Sequence, residues 1–225
     1  MKIIIANLKS HKNQTQAAEW LQIFKQKFLS NELRVMNYEA VIAPSFNLVS
    51  LVNEQIKDLQ NVSLSVQDLS PFPAGKYTGA VSTQNLDGFN VRYAILGHSE
   101  RRRYFHETHI DVANKVERCV EANITPIVCV DDEYIHTQAA AIKTELLSKC
   151  LVAYEELSAI GTGKNEPVEH VQKVYQQIKQ YFGQVKLIYG GSVNPENVAQ
   201  YLAISDGVLV GTASLEAGEF VRLFK

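Results

Sequence analysis

Eight short, nearly continuous apolar runs recur along the whole chain, at residues 3–6, 40–43, 62–66, 93–96, 126–130, 151–154, 186–189 and 208–210. Runs of this kind, rich in β-branched residues, suit strands buried on both faces, as in a parallel sheet covered by helices. The segments between them carry helical spacing. Trp20, Leu21, Phe24 and Phe28 share one face, as do Ile110, Ala113, Val116 and Val120, and later Val171, Val174, Tyr175, Ile178 and Phe182. Asn194, Pro195 and Glu196 read as an N-cap, a proline at the first helical position and an acid in the first turn, so a helix is expected directly after Ser192. No Gly/Ser linker or change in composition interrupts the alternation. The expected fold class is therefore α/β, a single (β/α)8 barrel domain over residues 1–225. An open doubly wound sheet is the rival, although the chain has no G-x-G-x-x-G after an early strand, the fingerprint its dinucleotide-binding form requires.

Composition narrows the classes of partner. A formal net charge of −2 argues against nucleic acid, whose phosphates demand clustered Lys and Arg. The one dense basic run, Arg101 to Arg103, sits beside Glu100 and Glu107 and reads as an ion-paired helix face. Hydrophobic residues make up 46% and charged residues 20%, which leaves no case for disorder. Cys119, Cys129 and Cys150 lack metal-ligand spacing, and their odd count fits reduced thiols in a cytoplasm. The apolar run behind Lys2 is far shorter than a signal-peptide core, and no stretch approaches membrane-spanning length. A cytoplasmic protein with neither a membrane nor a nucleic-acid partner is expected.

His98 follows an apolar strand, and its next neighbours open a helix. Helix amide groups beside an imidazole disfavour its protonation, so a neutral ring able to hydrogen-bond a carbonyl is expected. In a parallel barrel the loops after the strands open on one face, which brings Asn7, Lys9, His98 and Glu155 together. Taken singly, His98 reads as a core histidine, Glu155 as a solvated acid and Lys9 as a surface lysine. Taken together, a carboxylate, an imidazole and an ammonium can remove a carbon-bound proton, polarise the adjacent carbonyl and stabilise an enediolate. Small-residue loops at Gly161-Thr162-Gly163-Lys164, Gly190-Gly191-Ser192 and Gly211-Thr212-Ala213-Ser214 follow the last three strands. Their backbone N–H groups can approach a phosphate closely.

With these motifs in the order Asn7-Leu8-Lys9, Gly97 to Arg102, Ala153-Tyr154-Glu155, Ala159 to Lys164, Tyr189 to Val193 and Leu209-Val210-Gly211, the chain resembles the triosephosphate isomerase family over essentially its full length. The resemblance implies a TIM barrel, with Glu155 as proton-abstracting base, His98 as neutral electrophile and Lys9 as the cation facing the enediolate. It implies that Asn7 orients the substrate, that Glu100 supports the site from behind, and that Gly161, Ser192, Gly211 and Thr212 hold phosphate chiefly through backbone amides. The implied reaction converts dihydroxyacetone phosphate to glyceraldehyde 3-phosphate and back, without a metal or organic cofactor. The implied assembly is a homodimer built by the segment Gly75 to Ala80.

The chain departs from the family pattern in places. Glu156 and Ser158 stand where a hinge proline and a tryptophan are usual, Asp131-Asp132 where Gly-Glu is usual, Thr212 where a second glycine is usual, and Ala80 where a glutamate would pair with Arg101. Without proline's fixed φ, Glu156 is expected to leave the chain after Glu155 freer, and a buried Glu156 carboxylate to raise the pKa of Glu155. The chain is also short for a barrel, so trimmed outer elements are expected. Another phosphosugar isomerase and a catalytically weakened phosphometabolite-binding barrel remain alternatives at this point.

Overall fold

All eight apolar runs become strands of one closed parallel barrel in a computed structural model of the chain, which describes residues 1–30, 37–156 and 166–224. The strands are β1 (Lys2–Asn7), β2 (Tyr38–Ala43), β3 (Val62–Val66), β4 (Val91–Leu96), β5 (Thr125–Val130), β6 (Leu151–Tyr154), β7 (Lys186–Tyr189) and β8 (Gly207–Val210). Each pairs with its neighbours in chain order, and β8 closes on β1 with Ile3 beside Gly207 and Ala6 beside Val210.

Outside the barrel lie α1 (Gln14–Leu29), α2 (Val49–Ile56), α3 (Ser99–Phe105), α4 (His109–Glu121), α5 (Ile135–Ala141), α6 (Thr144–Leu147), α7 (Val168–Phe182), α8 (Val198–Ile204) and α9 (Ala217–Val221). Between β3 and β4 the only helical element is the 3₁₀ turn Thr83–Leu86, in keeping with a trimmed outer layer. The stripes expected on α1 and α7 are buried in full. On α4 the buried face runs instead through Val112, Ala113, Val116 and Cys119, while Ile110 is exposed. Ile110 lies about 200° around the helix from Val112, so the two cannot share one face. The helix expected after Ser192 also begins later. Asn194 Oδ1 accepts the N–H groups of Glu196 and Asn197, capping a turn, and regular α8 starts at Val198.

The basic run is ion-paired only in part: among the described residues Arg101 alone of the three meets carboxylates, while Arg102 donates to the Gly97 and Cys129 carbonyls and to Gln138 Oε1. Arg101 reaches Asp68 at 2.8 Å and Glu107 at 3.3 Å, whereas Glu100 pairs with Lys9. With Ala80 in place of a glutamate, Asp68 supplies a carboxylate for Arg101 from within the same chain.

Alternate strand residues fill the barrel. Ile3, Ile5, Ile95, Ile127, Ala153 and Leu209 belong to one buried cluster inside it, and the larger cluster lies between the strands and the helices. Gly207 makes the closing contact possible, because a Cβ there would overlap the Ile3 carbonyl oxygen and come within 2.9 Å of Ile188 Cδ1. Gly207→Ala is therefore expected to destabilise the protein by about 1–3 kcal/mol through overpacking. Urea denaturation measures this, and an unchanged midpoint would show that the β1–β8 contact tolerates a methyl group.

Candidate active site

The alternation that points Ile5, Ala153 and Leu209 into the barrel also aims the next residue of the same parity at its C-terminal mouth. These residues are Asn7, Glu155 and Gly211, and all three line one cleft of about 360 Å³. Lys9, His98, Ser192 and Thr212 line it too, so the expected site residues that fall among the described ones converge here, with Glu100 behind Lys9. Gly161, together with Gly163 and Lys164 of the same loop, lies outside the described residues.

His98 is out of step with the inward parity of β4, and Gly97 corrects its aim. Gly97 has φ +69°, its N–H donates to Glu107 Oε2 at 3.1 Å, and its carbonyl accepts from Arg102 Nε at 2.8 Å. A Cβ on Gly97 would lie 2.6 Å from Arg102 Nη2, so glycine is required for room as well as for φ. The turned chain makes His98 the N-cap of α3, where its Nδ1 accepts the Glu100 N–H at 3.2 Å. An accepting Nδ1 places the ring proton on Nε2, which stands 3.0 Å from Glu155 Oε1.

Glu155 is fully held. Beyond His98, it accepts the Ser99 N–H at 2.8 Å and the Ser99 hydroxyl at 3.0 Å. Burial alone would raise its pKa, yet the imidazole and the two Ser99 donors bring it below the ordinary carboxylate value. This reverses the expected rise, because His98 and Ser99 outweigh burial, and the Glu156 carboxylate is engaged by Tyr189 Oη instead. For His98, burial opposes the charged ring, but the Glu155 carboxylate outweighs it and the pKa lies above the ordinary value. The expected disfavouring of the charged ring is thus reversed: the helix amide sets which nitrogen of His98 carries the proton, while the neighbouring acid sets the direction of the shift.

Lys9 adopts φ +48°, a conformation costing a non-glycine residue about 1–2 kcal/mol. Asn7 Oδ1 accepts its N–H at 3.1 Å, Gln67 Nε2 donates to its carbonyl at 3.0 Å, and Glu100 Oε1 holds its Nζ at 2.7 Å. Gly211 lies against this side chain, since a Cβ on it would be 3.7 Å from Lys9 Nζ. Thr212 opens the 3₁₀ turn Thr212–Ser214 without positive φ, so its backbone bears no strain for lacking a glycine. Ser214 Oγ donates to the carbonyls of Gly211 and Asn7, joining the last loop to the first strand.

Sequence reasoning missed Ser99 and Gln67. Ser99 stands inside the His98 motif, and its place at the first turn of a helix was the available signal. Nothing local marks Gln67, which acts across 58 residues of sequence separation. Among the described residues, no group of three or more His, Cys, Asp or Glu side chains is placed to hold a metal ion.

Comparison with known proteins agrees with this geometry. A family model described as triosephosphate isomerase matches residues 2–225. A triosephosphate isomerase of Mesomycoplasma hyorhinis is 40% identical over 238 residues, covering 98% of this chain and 96% of that protein. Another from Mycoplasmopsis pulmonis is 35% identical over 237 residues, covering 98% and 96%. One from Thermus thermophilus is 35% identical over 249 residues, covering 99% and 97%.

The Glu155–His98 contact has a measurable sign. A raised histidine pKa stabilises the folded chain fully below the ordinary histidine value and progressively less as pH rises through the raised one. In Glu155→Gln the main influence raising the His98 pKa is gone while burial and Lys9 still lower it, so the NMR titration midpoint of His98 should fall. An unchanged midpoint would mean that the carboxylate does not govern the ring.

Proposed function

The chain belongs to the triosephosphate isomerase family, and from that premise we propose that it interconverts dihydroxyacetone phosphate and D-glyceraldehyde 3-phosphate with Glu155, His98 and Lys9 as its catalytic residues. The observation that carries this reading is the 3.0 Å approach of the Glu155 carboxylate to His98 Nε2 in the same cleft as Lys9. A base and a hydrogen-bond donor this close together can flank the two carbons of one small substrate.

In this reading the substrate carbonyl takes over the His98 Nε2–H. Glu155, released from His98 and Ser99, loses the donors that depress its pKa and becomes a stronger base. It takes a proton from the hydroxyl-bearing carbon. The enediolate charge faces the Lys9 ammonium, which Glu100 holds in place. A proton passes between the two substrate oxygens through His98, and Glu155 returns its own proton to the neighbouring carbon. Asn7 orients the substrate, while the backbone amides of Ser192, Gly211, Thr212 and Gly161 receive the phosphate. The chemistry calls for no redox or metal partner. The cytoplasm is the proposed location, where the buried free thiols of Cys119, Cys129 and Cys150 stay reduced. No helix among the described residues is long and apolar enough to cross a membrane.

The proposed assembly is a homodimer. Phe72 and Tyr77 stack at 4.6 Å yet are 46% and 44% exposed, and Tyr104 and Phe105 of α3 are 63% and 66% exposed. Exposed aromatic side chains of this kind support that reading, and two-fold symmetry would cover them reciprocally.

In a coupled assay with glyceraldehyde 3-phosphate, Glu155→Gln should keep the fold and lose about 10²–10⁴-fold in kcat. Lys9→Met should also slow turnover, and full activity in the Glu155 variant would remove the base assignment. Sedimentation at micromolar concentration should find a dimer; an active monomer would rule the assembly out.

A further inference from the structure

Glu156 takes no part in the reaction above, yet it is a carboxylate only 4% exposed. Its Oε2 accepts the Tyr189 hydroxyl at 2.8 Å and the Glu166 backbone N–H at 3.1 Å. Tyr189, the last residue of β7, stacks on Tyr201 at 3.9 Å and 14°, and the Tyr201 hydroxyl donates to the Glu166 carbonyl at 3.0 Å. Both backbone polar groups of Glu166 are thus tied to one assembly built on Glu156, Tyr189 and Tyr201. Gly191 provides its space, since a Cβ there would overlap the Tyr189 hydroxyl. Burial and the Glu156 carboxylate hold the Tyr189 phenol far above its ordinary pKa, so it remains a donor.

The backbone leading to Glu156 is secured by hydrogen bonds at the ends of neighbouring strands. Glu155 N–H donates to Val130 O at 2.8 Å, and Gly190 N–H donates to Tyr154 O at 2.8 Å. Past Glu155 the strand has ended, and the side chain of Glu156 takes over from the ladder. This is the position where a hinge proline is usual, and the loop beyond it that is expected to be freer, residues 157–165, lies outside the described residues. In the proline's place the chain is anchored by hydrogen bonds to an acid, not by a fixed φ.

We propose that Glu156 is a positioning residue: its carboxylate, gripped by Tyr189 and the Glu166 amide, fixes the peptide that follows Glu155 and so sets where the Glu155 carboxylate lies over the cleft. The inference rests on the reading of Glu155 as the base. A base misplaced by about 1 Å costs up to about 10²-fold in rate.

The test compares kcat, KM and thermal midpoint for wild type, Glu155→Gln, Glu156→Ala, Glu156→Gln, Tyr189→Phe and the Glu156→Ala/Tyr189→Phe double variant. Glu156→Ala should lower kcat by about 10- to 100-fold with KM changed by less than about threefold, because substrate contacts survive. Glu156→Gln, which keeps an acceptor oxygen, should restore most of the rate. The double variant should be no slower than Glu156→Ala, since both changes break one hydrogen bond. Wild-type kcat in Glu156→Ala, even with a lowered thermal midpoint, would overturn the proposal. So would a Glu156→Gln variant as slow as Glu156→Ala, or losses that multiply in the double variant. An inactive wild-type protein, or a fully active Glu155→Gln, would overturn the functional reading and this inference together, whereas an active Glu156→Ala beside an inactive Glu155→Gln overturns this inference alone.

Discussion

Closure of the sheet, with β8 drawn against β1 until Gly207 meets the Ile3 carbonyl, is the constraint from which the site inherits its geometry. A closed parallel barrel leaves every strand pointing the same way, and side chains alternate between its interior and its helical coat. Residues that follow the inward set therefore arrive at one mouth whatever their distance in sequence. Asn7 and Gly211 belong to the first and last strand ends, and closure makes them neighbours, joined through Ser214. Without the β1–β8 pairing the same strands would form an open sheet, and the two ends of the site would lie at opposite edges.

Polar groups at this mouth are held by one another. Glu155 rests on His98 and Ser99, and Lys9 on Glu100. A buried carboxylate is costly unless donors surround it, and here the donors are those from which the substrate would release it. These contacts stabilise the fold and, in the proposed reaction, would be exchanged for contacts to the substrate. The backbone bears part of the cost at Lys9, whose positive φ is secured by Asn7 and Gln67.

Much of this was legible beforehand because the signals were local. Each apolar run matches a strand, and residues 62–66, 151–154 and 186–189 coincide with their strands end to end. The motif residues around His98, Glu155 and Gly211 reach one cleft because strand ends in a barrel must converge. Signals failed where the neighbour that decides the outcome is distant. The buried face of α4 was misjudged because its rotation is chosen by what it packs against, and Ile110 is exposed although its spacing looked suitable. The direction of the Glu155 pKa departs from expectation because it depends on His98 and on the two Ser99 donors, brought to Glu155 from a different strand end.

By itself the sequence determined the number and order of the strands, the all-parallel alternation and the identities of the groups at the mouth, since these follow from residue-by-residue hydrophobicity and chain order. Tertiary structure alone decided the rest. Gly97 re-aims His98 only because Glu107 and Arg102 hold the turn, and Asp68 serves Arg101 only because β3 and β4 are neighbours. The buried Glu156 carboxylate is satisfied only because β7 delivers the Tyr189 hydroxyl beside it. Charge placement, tautomer and pKa are set by atoms a few ångströms away in space, and a linear pattern carries no record of which atoms those are.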